Sequence, residues 1–106
     1  MSKSQRDKGA SFEREIANLL TVELGMVVKR NLSQTRGGKD EGSDITVGRW
    51  SLECKRRAKI AVYDFLDQAL RDAQGKTPVV VARADGRRAI AILDLEAFIP
   101  LMREWL

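Results

Sequence analysis

The sequence predicts an α/β fold, a small sandwich in which helices pack on a sheet in the order αβββαββα. Three observations predict it. Apolar residues recur with helical period between Phe12 and Leu24. Two alternating segments flank a two-residue turn at Gly48-Arg49. An unbroken apolar run from Pro78 to Arg83 is bounded by turn residues.

Taken in order, residues 1–10 are polar and basic and read as a flexible arm. From Ser11, a suitable N-cap, Phe12, Ile16, Leu19, Leu20 and Leu24 mark one helix face, and Gly25 stops the helix. Met26 to Arg30 reads as a strand. NLSQTRGGKDEGS follows, and a polar, glycine-rich loop of that length in so short a chain is usually functional or mobile. Asp44 to Val47 and Trp50 to Lys55 read as a hairpin. Tyr63 to Gln74 gives a second amphipathic helix with Phe65, Leu66, Ala69, Leu70 and Ala73 inward, closed by Gly75. Pro78 to Arg83 has the composition of a central strand. Asp85-Gly86 turns into Ala89–Leu93, and Asp94 caps a last helical segment, interrupted or restarted at Pro100.

At 106 residues the chain is expected to be a single domain, 1–106, with room for one core. No apolar run reaches the length of a membrane span, so no membrane partner is expected. The segment MSKSQRDKGAS has no apolar centre and does not read as a signal peptide. One cysteine forms no internal disulfide, and a cytoplasmic setting is expected. There is no histidine, which excludes imidazole shuttles, His-based triads and His-ligated zinc. Any catalysis must rest on carboxylates, lysine, hydroxyls or a metal held by oxygen. Lys and Arg outnumber Asp and Glu by 19 to 15, which permits a polyanionic partner.

The hairpin holds the most informative spacing. With Gly48 and Arg49 as the turn, Val47 faces Trp50, Thr46 faces Ser51, Ile45 faces Leu52, and Asp44 faces Glu53. Alternation then puts Ile45, Val47, Trp50, Leu52 and Cys54 on one side of the ribbon, and Asp44, Thr46, Ser51, Glu53 and Lys55 on the other. Like charges directly opposite are destabilising. A divalent cation between Asp44 and Glu53, with Lys55 one pleat along, would remove the repulsion. The alternative is a set of solvated charges on a wet strand. On the first helix, the apolar stripe runs from about −20° to about 120°, and Glu13 falls at about 100°, inside it. Either Glu13 exploits the first turn of the helix, or it reaches over the sheet edge towards Asp44 and Glu53.

GASFEREIANLL, GSDITV and LECKRR in this order resemble the PD-(D/E)XK nuclease superfamily, and within it the Holliday junction resolvases of archaeal and phage type. The resemblance covers roughly Lys8 to Arg83. It implies an αβββαβ restriction-endonuclease-like core with a mixed central sheet flanked by helices, plus one extra strand and a C-terminal helix. By resemblance, Glu13, Asp44, Glu53 and Lys55 are the catalytic set. Asp44 and Glu53 would be metal ligands, with the backbone carbonyl of Cys54 and with Glu13 as further candidates. Asp40 and Glu41 are rival acids in the long loop; Asp44 is preferred because it enters the hairpin opposite Glu53. Gln68 resembles a helix glutamine of related nucleases.

The implied activity is Mg²⁺-dependent endodeoxyribonuclease chemistry, with Mn²⁺ as a substitute, resolving four-way (Holliday) junctions by paired nicks. Alternatives are a nuclease of the same superfamily acting on duplex or flap DNA, and a catalytically silent DNA-binding protein. Arg14 matches a basic residue beside the first-helix acid. Lys29 and Arg30 both lie where the family places a basic residue after its first strand, and the sequence does not choose between them. Arg36, Lys39, Arg56, Arg57 and Lys59 fit contacts to DNA phosphates. Arg71, Arg87 and Arg103 read as solvated charges. Paired nicking needs two sites, so a homodimer is expected, with Val47, Trp50, Trp105 and Leu106 supplying apolar surface for its interface.

Overall fold

The computed structural model of the chain describes residues 3–32 and 42–106. Its elements are α1 (Lys3–Leu24), β1 (Ile45–Val47), β2 (Trp50–Arg57), α2 (Val62–Asp72), β3 (Thr77–Ala84), β4 (Ile90–Ile92) and α3 (Leu95–Trp105). The strands form one sheet in the order β1-β2-β3-β4. β1 pairs with β2 antiparallel, β2 with β3 parallel, and β3 with β4 antiparallel. The parallel step needs a long crossover, and α2 supplies it. The result is the expected mixed α/β sheet flanked by helices.

The helices bury β2 and β3 from opposite sides. Phe12, Ile16 and Ala17 of α1 pack with Val28, Ile45, Leu52, Cys54 and Val79. Leu66 and Ala69 of α2 pack with Val80 and Ala82. Gly48 takes φ 54°, a conformation cheap only for glycine, and the hairpin has the predicted register: Ile45 with Leu52, Thr46 with Ser51, Val47 with Trp50. Asp94 caps α3 as expected, its Oδ1 accepting the Ala97 N–H at 2.8 Å.

Several expectations require correction. α1 begins at Lys3, so residues 3–10 are helix rather than a loose arm, and Ser11 lies inside it rather than at its cap. Apolar spacing marks only the part of a helix that meets the core. The first turns carry Lys, Gln and Arg, which favour helix without leaving that mark. Met26 to Arg30 is not a strand of the sheet; it makes one isolated bridge, Arg30 to Ile45. Val28 alone of this segment reaches the core, and its N–H goes to Thr21 Oγ1 at 2.9 Å instead of to a neighbouring strand. α3 runs unbroken through Pro100. Val47 and Trp50 pack against the core instead of offering free apolar surface. That surface lies on α3, which buries none of its residues and leaves Trp105 88% exposed.

Candidate active site

β1 covers only residues 50–52 of β2, so from Glu53 onward one edge of β2 has no strand beside it among the described residues. Asp44 stands at that fork, immediately before β1. Its Oδ2 accepts the Cys54 N–H at 2.9 Å, which fixes the carboxylate against the open edge. In a strand, the N–H and C=O of one residue point to the same side, so the Cys54 carbonyl faces that edge too. A cavity of about 250 Å³ opens there. Glu13, Asp44, Glu53, Cys54, Lys55 and Gln68 line it, with Arg57 at its margin and Gly9 and Ala10 of α1 as part of its wall.

Glu53 is 2% exposed, which rules out the wet-strand reading, because α2 covers the face that the hairpin alone leaves open. Burial and the nearby Asp44 charge push its carboxyl up to about 8, against the opposing pull of Lys55. Burial likewise raises Asp44, although the Cys54 N–H and Lys55 favour its charged form. Glu13 is raised by burial and by Asp44, with Arg30 opposing. Its Oε1 accepts from Arg30 Nε at 3.2 Å. Lys55 Nζ donates to Gln68 Oε1 at 2.7 Å and lies 5.3 Å from the centre of the Phe65 ring. The Cys54 side chain packs in the α1 core, and burial pushes its thiol up, out of nucleophilic range.

Among the described residues, no three acidic, histidine or cysteine side chains gather closely enough to form a complete metal cage. Asp44, Glu53 and the Cys54 carbonyl are oxygen donors of the kind a hard divalent ion takes, and are the groups of this cleft that could hold one.

Over residues 4–103 the sequence matches the family described as "phage putative PDDEXK endonuclease". The chain belongs to this family. No curated protein and no solved structure matches it. Membership carries with it a DNA substrate and the divalent-metal use general to PD-(D/E)XK nucleases. The sheet and its flanking helices are those of a PD-(D/E)XK core. Membership does not extend to junction resolution, which the match leaves open. No helix among the described residues is long and apolar enough to cross a membrane.

The basic residues of this PD-(D/E)XK chain divide by their surroundings. Arg30 turns inward onto Glu13, whereas Lys29 is exposed. Arg14 and Lys59 are exposed and Arg57 borders the cavity. Arg56 reaches Asp85, its Nε 3.4 Å from Oδ1. Arg36, Lys39, Asp40 and Glu41 lie outside the described residues. Sequence reasoning missed Asp72, whose nearby carboxyl helps to raise Glu53. A signal existed: Asp72 is four residues beyond Gln68 and therefore on the same helix face.

Proposed function

We propose that the chain is a metal-dependent endodeoxyribonuclease that cleaves branched DNA, resolving four-way junctions as a homodimer. The observation that carries the nuclease reading is the convergence of Asp44, Glu53 and Lys55 on one cavity at an open strand edge. Buried Glu53 and half-buried Asp44 repel each other there, and a lysine is held in place by Gln68. The sequence resemblance to junction resolvases supports the branched substrate, and the uncovered apolar face of α3 supports a dimer.

Asp44, Glu53 and the Cys54 carbonyl would hold the ion. A bound Mg²⁺ or Mn²⁺ supplies positive charge that polarises the scissile phosphate and lowers the pKa of water. Lys55, oriented by the Gln68 amide, donates to the attacking water or to a phosphate oxygen and stabilises the negative charge that grows on phosphorus. Glu13, tethered by Arg30, orients water on the α1 side. Arg57 and Lys59 take flanking phosphates and fix the register of the strand without reading its bases.

The test incubates wild type and Glu53→Gln with a synthetic four-way junction and a matched linear duplex, in Mg²⁺ and in EDTA. Paired nicks in the junction alone, with wild type and Mg²⁺ alone, are expected. Equal cutting of both substrates would retain the chemistry and remove the junction preference. DNA binding with no cleavage in any divalent ion would establish the silent DNA-binding alternative.

A further inference from the structure

Five basic side chains near the sheet are matched by acids. Arg30 pairs with Glu13, Arg49 with Glu104 and Arg83 with Glu15, while Lys8 and Arg56 share Asp85. Among the described residues, Arg57 at the cleft and Lys59 beyond it have no such partner, and the β3–β4 turn carries a second unmatched pair. Its one acid, Asp85, is taken up by those two cations, and Arg87 and Arg88 next to it are exposed with no acidic partner among the described residues. The two arginines border a cavity of about 200 Å³ with an apolar floor of Ile60, Ala84 and Ile90.

This turn is braced. The Asp85 N–H donates to the Arg57 carbonyl at 3.1 Å and the Arg87 N–H to the Ala84 carbonyl at 3.0 Å. Lys8 Nζ sits 3.1 Å from Asp85 Oδ1, tying the turn to α1. The cavity is also next to the active site. Arg57 borders the catalytic cleft, and its partner across the β2–β3 ladder is Ala84, in the floor of the arginine cavity. Adjacent strands lie about 4.8 Å apart, so the two openings are neighbours on one rim, with Arg57 between them. Arg87 and Arg88 are far from the site in sequence but close to it in space.

We propose that Arg87 and Arg88 form a second phosphate-binding station, which grips the DNA backbone as it leaves the cleft past Arg57. A guanidinium presents a planar fork matched to phosphate oxygens, and the apolar floor suits the sugar between two phosphates. Holding the strand on both sides of the scissile bond fixes its direction across the site. This inference rests on the reading that the chain acts on DNA.

The test is a fluorescence-anisotropy titration of a short labelled duplex in EDTA across a salt series. Wild type is compared with Arg87→Gln/Arg88→Gln, with Arg87→Lys/Arg88→Lys, and with the charge-matched control Arg71→Ala/Arg103→Ala. Each lost phosphate contact lowers the slope of log K against log salt by roughly 0.9, so the glutamine pair should reduce it by about 2. The lysine pair, which keeps both charges, should keep most of the slope, and the control should leave it unchanged. The four side chains replaced are exposed, so folded protein is expected, and circular dichroism checks it. An equal loss in the glutamine pair and the control would mean net charge alone and overturn the station, as would no loss in either. Wild type that cuts DNA while the glutamine pair keeps the full slope overturns this inference only. Wild type that binds no DNA overturns the nuclease reading with it.

Discussion

At the β1–β2 fork the chain sets a half-buried Asp44 beside a buried Glu53, whereas on α3 it leaves Phe98, Met102 and Trp105 in water. Each arrangement costs free energy in the isolated chain, one through desolvated like charges and the other through exposed apolar surface. The difference is one of reach. The fork is enclosed by both helices and can be relieved only by something small, positively charged and able to enter. The α3 face is open and extended, and only a surface of comparable size can relieve it.

The largest effect should come from the fork. Lys55→Ala is expected to lower single-turnover cleavage by at least about a hundredfold, because it removes a donor aimed at developing charge. Gln68→Ala should cost less, on the order of tenfold in rate, since the lysine remains but loses its 2.7 Å anchor. A rate equal to wild type in either variant would show that the cleft is not where cleavage occurs.

Stability separates the two regions next. The folded chain holds a proton on Glu53 up to about pH 8, whereas the unfolded chain releases it near 4.5. The folded state therefore binds more protons across that window, and metal-free protein should lose stability as pH rises through it. Glu53→Gln removes the Glu53 part of that slope and leaves the parts due to Asp44 and Glu13. In EDTA near pH 8 it should be more stable than wild type by on the order of 2 kcal/mol, and near pH 4.5 the two should converge. Wild-type melting temperatures that stay level or rise with pH would contradict the buried-charge account. On α3, Asp94→Ala should cost about 1 kcal/mol through loss of the helix cap.

The smallest effect on folding belongs to Trp105→Ser, because the side chain is 88% exposed and touches little. A change within about 0.5 kcal/mol in monomer stability is expected. Sedimentation should nevertheless show weakened self-association. A variant that associates as wild type does would move the dimer interface away from the end of α3.

The hairpin was legible because its signals are local: a glycine at the turn, strict alternation beside it, and a register set by counting outward. Asp44, Glu53 and Lys55 came with it. The second helix was legible for the same reason, and Leu66 and Ala69 lie inward as their spacing implies. What escaped depends on distant packing. The first turns of α1 carry no apolar period, so their place in the cleft wall was invisible. The dryness of Glu53 comes from α2, a separate element, and the hairpin pattern alone describes a wet face. Asp72, Arg87 and Arg88 matter only through neighbours that the sheet brings to them. Met26 and Val27 read as strand by composition, yet both stay exposed because the chain spends their segment's hydrogen bonding on Thr21 and one bridge.

The tie between Lys8 and Asp85 spans 77 positions of sequence. The hairpin and the β2–α2–β3 unit, by contrast, join segments close along the chain. Short loops close sooner than long ones, so during folding the sheet and α2 are expected to assemble first and α1 to dock last. Glu53 would then be covered as the sheet and α2 assemble, and Glu13 would reach the fork only when α1 docks. The repulsion between Glu13 and Asp44 would fall on that final step, where it slows docking of the helix without misdirecting the strands.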